Sequence, residues 1–379
     1  MLRPILLGSL LTLATACSTD QGAPANTRWQ LNALTFNTAL APGFEPNTAA
    51  RLPKVLSALS DAAPGLDLMC IQELWEEPDF AALKSALGGA LPNTLHRAPT
   101  PGSGSCSSDE LGSLGACVQS ECDSAEPERL VACIQTQCTT EVTALSGGCL
   151  GCLINHLGTF EACATAGAAA TGDPAIFGGN SDIALFSRFP IVDQEILPLD
   201  AYFQRGTALY ARIEVPQLGT VHAFCTHFSS PLGVIPYAGP DGSWDGEHAR
   251  ETEELVRLIA AHAGDGERVL VMGDLNTGLA LNGNGAVLPD DLEALLATGL
   301  RDPYLDGGRA ECSECSDNSL RSPDSSADLI DHLLIRGFPE GSASVSRAFT
   351  SQVEIGAEGN VELSHLSDHY GLMLQLGLR

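Results

Sequence analysis

The chain has 379 residues, enough for one large domain or two small ones, with 44% hydrophobic residues and 39 glycines. Its formal net charge of −28 at pH 7 excludes a broad polyanion-binding surface, which needs clustered Lys and Arg. A local cationic site, or a bound metal that reverses the local potential, remains compatible with that charge.

Residues 1–17 read as a signal peptide. Arg3 precedes an apolar run over residues 5–13, and the small residues Ala14, Thr15 and Ala16 stand before Cys17. The run is too short for a transmembrane helix, and none long enough follows it. A cysteine in that place resembles the lipobox of a bacterial lipoprotein, with Cys17 as the lipidated residue. Ala14 stands where Leu is usual, so soluble secretion stays open. Residues 18–29 are polar and read as a linker. The protein is expected to be exported, on the cell envelope or secreted, and its 13 cysteines then imply disulfides.

Residues 30–379 read as one domain. Alternating polarity over residues 31–37 predicts a strand ending near Asn37. Leu52, Val55, Leu56 and Leu59 have helical spacing and predict a helix over 48–61. A buried strand over 66–71 runs into Gln72 and Glu73. Burying a carboxylate is costly unless something pairs with it, so Glu73 is either a rim residue or a ligand. Trp75 and a short helix over 80–87 follow.

Residues 100–175 change character, being rich in small residues and cysteine. A repeat, Cys117-Val118-Gln119-Ser120-Glu121-Cys122 echoed by Cys133-Ile134-Gln135-Thr136-Gln137-Cys138, suggests two helical turns closed by Cys117–Cys138 and Cys122–Cys133 bridges. Sequence alone does not fix that connectivity. Cys149 and Cys152 form a further close pair, and zinc is the alternative use of so many thiols. The segment reads as a disulfide-stapled insertion without a core of its own.

The main pattern resumes with a strand, a turn at Pro190 and a second strand over 178–191. A hairpin over 206–215 and 220–226 delivers His227; alone, such a His is more often a structural group than a catalyst. The loop 229–244 has an apolar tip with Leu232, Val234, Ile235 and Tyr237. A helix over 247–262 turns Leu255, Leu258 and Ile259 inward. Residues 269–272 form a strand buried on both faces, ended by Gly273. In an extended chain Asp274 and Asn276 then leave on the same face. They could share a hard cation and a phosphate oxygen, or simply form an Asp/Asn turn. A short helix over 290–296, a local or longer bridge at Cys312 and Cys315, a strand over 327–335 carrying Asp331, and a closing strand over 370–376 after Asp368 and His369 complete the chain.

Burying this many polar strand ends without a purpose would be expensive, and one shared cation site accounts for all of them. The set Asn37, Gln72-Glu73, Ser187-Arg188-Phe189-Pro190-Ile191, Thr226-His227, Gly273-Asp274-Leu275-Asn276, Ile330-Asp331 and Ser367-Asp368-His369 resembles, in order, the endonuclease/exonuclease/phosphatase superfamily. Residues 71–80, with Trp75 and Phe80, look most like the neutral sphingomyelinases. The resemblance implies a four-layer α/β/β/α sandwich of the DNase I-like kind and Mg²⁺-dependent phosphodiester hydrolysis, other divalent cations being possible. It makes Glu73 a metal ligand, helped by Asn37 and Asp368 directly or through water. It makes His369 the general base, oriented by Asp331, with Asp274 positioning water or assisting the leaving group. His227 and Asn276 would hold phosphate oxygens, and Arg205 would contact phosphate or simply lie at the surface. His332, where an aromatic residue is frequent, and the acidic approach Asn180-Ser181-Asp182 depart from the pattern.

The leading expectation is a phospholipase C-type enzyme acting on sphingomyelin or a related choline phospholipid, its apolar tip contacting the membrane interface. The alternatives are a secreted DNase I-like endonuclease, an inositol-phosphate phosphatase, and an inactive protein that binds a partner through the Cys-rich insertion.

Overall fold

The computed structural model describes residues 29–378 except 43, 100–103, 123–129, 131–132, 135, 157–159, 165–175, 232–234, 236, 238, 281–284, 309 and 358–359. The segment expected to be a signal peptide, Cys17 and most of the expected linker therefore lie outside the described residues. So do Leu232, Val234 and parts of the Cys-rich insertion. No described helix is long and apolar enough to cross a membrane.

The first strands are β1 (Trp29–Leu40), β2 (Leu68–Leu74), β3 (Asn93–His96) and β4 (Ala184–Ser187). Next come β5 (Ile191–Asp200), β6 (Arg205–Val215), β7 (Gly219–His227), β8 (Val269–Asp274) and β9 (Asp331–Arg336). The last are β10 (Ala343–Ala348), β11 (Val353–Ala357), β12 (Asn360–Ser364) and β13 (Gly371–Leu378). Among the described residues they form one sheet in the order β10-β13-β1-β2-β4-β3, a second in the order β5-β6-β7-β8-β9, and a separate β11–β12 hairpin.

Period-two alternation explains why the two sheets stack. In β8, Leu270 and Met272 point into the layer between the sheets, beside Leu31, Ala33 and Leu68 of the facing sheet. Val269 and Val271 point outward, against Leu255 and Leu258 of the Trp244–His262 helix. On the far side of the other sheet, Met69 and Ile71 meet Val55 and Leu59 of the Thr48–Ala62 helix. The result is the expected α/β/β/α sandwich with an inserted Cys-rich segment.

All twelve cysteines after Cys17 are bridged, which leaves no thiolate set for zinc. The expected pairs Cys117–Cys138 and Cys122–Cys133 are present. Cys149 and Cys152 bond separately, to Cys106 and Cys163, while Cys312 and Cys315 bond each other. The insertion, expected to lack a core, has a small one: Leu114, Ile134 and Leu153 cluster with these bridges and with Tyr202 and Phe203 of the main domain.

Four further expectations change. The strand expected over 327–335 is confined to β9, so Asp331 opens it rather than sitting inside. The Ile330 and Asp331 backbone N–H groups are held instead by the Ser313 hydroxyl. The 229–244 tip is not a free lipid-facing element where it is described. Ile235 and Tyr237 pack against the insertion's core, and the Ile235 carbonyl accepts from Trp244 Nε1 at 2.8 Å. Asp274 and Asn276 do not continue an extended chain, because Asn276 turns at φ 45°. Helix 80–87 begins earlier, at Glu77.

Candidate active site

Strand register assembles the site. Parallel pairing sets His227 of β7 beside Asp274 of β8, and antiparallel pairing sets Asp274 beside Asp331 of β9. In the facing sheet Asn37 of β1 lies beside Gln72 of β2, with Glu73 next along the chain. The loop before β13 adds Asp368 and His369. Of these, Glu73, His227, Asp274, Asp368 and His369 line one cavity of about 280 Å³, small for a ligand pocket, with Asn37 and Asp331 behind them.

Hydrogen bonds fix most of these side chains. Asn37 Nδ2 donates to Glu73 Oε1 and to Asp274 Oδ2, each at 2.9 Å, while its Oδ1 accepts from the Ala39 N–H at 3.0 Å. Asp274 Oδ1 accepts from the Asn276 N–H at 2.9 Å, and Asn276 Nδ2 donates to the Phe228 carbonyl at 2.8 Å. The turn reading of Asp274-Leu275-Asn276 is thus realised, and Asp274 and Asn276 also line the cavity. Glu73 and Asn276 have positive φ, 54° and 45°. For a Glu that conformation is uncommon and persists only where the surroundings hold it.

Two His–Asp pairs face Asp274. His369 Nδ1 donates to Asp331 Oδ2 at 2.7 Å, leaving Nε2 3.8 Å from Asp274 Oδ2 and 4.0 Å from Asp368 Oδ1. His227 Nδ1 donates to Asp182 Oδ2, and its Nε2 lies 3.7 Å from the same Asp274 oxygen. Asp182 Oδ2 also accepts from the Glu73 N–H at 3.3 Å. Sequence reasoning gave Asp182 no role; the acidic Asn180-Ser181-Asp182 approach was its only signal. His332, the departure noted behind His369, bonds Asp302 at 2.7 Å and the Thr277 carbonyl at 2.9 Å, so it is a satisfied core residue.

Burial would lower both catalytic-side imidazoles, but their carboxylates outweigh it. Asp331, Asp368 and Asp274 hold His369 well above its ordinary value. Asp182, Asp274 and Glu73 push His227 up to about 10. The acids respond oppositely to the same burial. Burial raises Glu73, with Asp368 adding and His227 opposing, and burial with Asp331 raises Asp274. Burial, Asp368 and Glu73 push Glu45 up to about 8. Carboxylates therefore gather at Glu73, Glu45 and Asp368, and burial is the largest cause raising Glu73 and Glu45. That crowding and the all-oxygen donor set fit a hard divalent ion held by Glu73 and Asp368. Asn37 is placed to orient Glu73.

Arg205, expected at phosphate or at the surface, is not among the cavity's lining residues, although its neighbour Gln204 is. The lining includes rings that the sequence did not assign to the site: Phe44, Phe177, Phe203 and Trp244. Phe177 stacks on Trp75 with centroids 4.3 Å apart.

Solved structures of similar fold include SmcL (15% identity, TM-score 0.56, covering 92% of this chain and 99% of that one). Sphingomyelinase C from Streptomyces griseocarneus is similar at 18% identity and TM-score 0.53, again over 92% and 99%. A beta toxin mutant from Staphylococcus aureus with bound magnesium ions is similar at 12% and 0.53, over 91% and 99%. At these identities the likeness is one of fold. No curated protein sequence matches the chain significantly. The model of the Endonuclease/Exonuclease/phosphatase family matches residues 34–369. The chain belongs to that family and is a metal-dependent phosphoric diester hydrolase.

Proposed function

We propose that the protein is an exported, Mg²⁺-dependent phosphodiesterase of phospholipase C type acting on sphingomyelin or a related choline phospholipid. The observation that carries this reading is the pair of buried His–Asp dyads converging on Asp274 inside a cavity with aromatic walls. Bridging of all twelve cysteines after Cys17 fits an oxidising, exported location.

In this reading His369 Nε2 takes the proton of a water attacking phosphorus, while Asp331 fixes the imidazole's tautomer and tilt. The P–O bond to the lipid alcohol breaks, the water oxygen joins phosphorus, the leaving alkoxide takes a proton from solvent, and His369 returns its own proton to solvent, so that one water is consumed overall. Protonated His227, held by Asp182, donates to a phosphate oxygen whose charge grows in the transition state. Asn276 supports the same oxygens. Asp274 orients the attacking water between the two imidazoles. Bound at Glu73 and Asp368, a divalent cation supplies charge that stabilises the phosphoryl oxygens and favours the neutral imidazole a base requires.

Lipid contact falls to exposed apolar side chains, since Ile235 and Tyr237 are packed inward. Phe44 lines the cavity while 44% exposed, and Val361 and Leu363 stand out on the β11–β12 hairpin. The deciding assay offers sphingomyelin, phosphatidylcholine and plasmid DNA in parallel with Mg²⁺. Phosphocholine release without nicking is expected. Nicking alone would replace the lipid reading by the DNase I-like one.

A further inference from the structure

Ser313 is not among the cavity's lining residues, yet it is bonded to the chain at both halves of the His369–Asp331 dyad. It lies in the turn closed by the Cys312–Cys315 disulfide and is fully buried. Its Oγ accepts from the Ile330 and Asp331 N–H groups, each at 3.1 Å. Its carbonyl accepts at 2.8 Å from the N–H of Tyr370, the residue after His369. Its own N–H donates to the Asp328 carbonyl at 3.0 Å. One residue therefore fixes the chain at Asp331 and the chain just past His369.

The same segment grips His369 a second way. Asn318 Nδ2 donates to the Ser367 carbonyl at 2.9 Å, and Ser367 Oγ accepts from the His369 N–H at 3.1 Å. Asp331, by contrast, has little else to place its side chain. Its Oδ2 accepts from His369 Nδ1 at 2.7 Å, while Oδ1 is buried with no hydrogen-bond partner among the described residues. A carboxylate bonded only to the ring it steers takes its position from its own backbone. Asp331 is the first residue of β9, so the strand steadies that backbone from one side and Ser313 from the other.

Resting on the reading of His369 as base and Asp331 as its orienter, we propose that Ser313 is a positioning residue of the hydrolysis. It sets the separation and tilt of Asp331 and His369, and the Cys312–Cys315 bond holds the turn that presents it. Ser313 acts only through those two residues. A displacement of about 1 Å is enough to cost a large factor in rate, because His369 Nε2 must meet the attacking water at hydrogen-bond distance.

The test separates positioning from folding. Kinetics are measured on whichever of sphingomyelin, phosphatidylcholine and plasmid DNA the wild type cleaves, so the lipid assignment does not enter. Ser313→Ala should lower kcat about 10–10²-fold while KM stays within about twofold. Placed on Asp331→Ala, where no carboxylate remains to be positioned, it should cost less than about twofold more. A loss of full size in that background, a kcat that does not fall, or a KM that rises as kcat falls would overturn the proposal. Proton NMR gives a readout without turnover. The low-field Nδ1–H resonance absent from His369→Ala should move upfield in Ser313→Ala, and an unmoved resonance would also overturn the proposal. Should Ser313→Ala fail to fold, the Cys312→Ser/Cys315→Ser variant decides: a reduced kcat with KM kept supports the positioning role, and wild-type kcat removes it. Unchanged kcat in Asp331→Ala alone would sink the dyad reading and this proposal with it. A loss there with none in Ser313→Ala overturns this proposal only.

Discussion

Cys70 of β2 and Cys225 of β7 are joined by a disulfide that crosses the layer between the two sheets. Three residues beyond Cys70 is Glu73, and two beyond Cys225 is His227. The bond therefore clamps together the two strands that bring a proposed metal ligand and a proposed phosphate contact from opposite sheets. Its closed loop is long, with a sequence separation of 155. Replacing both cysteines by Ala is expected to lower stability by about 2–4 kcal/mol in urea unfolding. Mg²⁺ should also bind more weakly in the folded variant. Unchanged stability and metal affinity would show that the sheets hold the site without the clamp.

Asp331→Asn should lower kcat about 10²–10⁴-fold with little change in KM, because Asp331 acts only through the His369 ring. His369→Ala should lower it at least as far. The double variant should be little worse than His369→Ala alone, since the two residues act as a unit. Steady-state kinetics on one micellar substrate decides this, and additive losses would separate the pair.

Asp182 gives a prediction in pH. Its carboxylate helps hold the folded His227 up to about 10, so the folded protein keeps a proton that the unfolded chain releases near 6.5. The resulting stability is fully present below about pH 6.5 and is lost as pH rises through about 10. Urea midpoints measured in chelator should therefore fall across that window, and Asp182→Asn should flatten the fall. Activity of Asp182→Asn should drop about 10²-fold through loss of the charged donor.

Asn37 ties Glu73 to Asp274 through one amide nitrogen. Asn37→Ala is expected to raise the Mg²⁺ concentration for half-maximal activity about 10–100-fold, as loss of a group that orients ligands does. Excess EDTA should abolish hydrolysis, and added Mg²⁺ should restore it. Metal titration of activity in both proteins is the measurement.

Much of this was legible in the sequence where local pattern carries the information. The apolar run before Gly273 named β8, helical spacing named the Thr48–Ala62 helix, and the repeated cysteine spacing named two bridges of the insertion. Asp331 and His369 were paired through the family's motif order, and they sit at 2.7 Å. What stayed hidden depends on which strands become neighbours. Asp182 and His227 are 45 residues apart, and the Cys70–Cys225 bridge spans far more. Nothing near either residue signals its partner. β10 escaped notice because its side chains are only half-covered and mostly small or polar, Val345 aside.

The sheet order has a consequence for how the molecule reaches its working form. β1, the first described strand, lies between β2 and β13, pairing Trp29 with Leu378. Until β13 arrives, β1 is an uncapped edge whose backbone groups can recruit another chain. His369 comes two residues before β13, so the same late pairing completes both the sheet and the proposed reacting centre. Contacts this distant in sequence fold slowly. A chain crossing a membrane unfolded would stay inactive and adhesive until its final strand had followed the rest across.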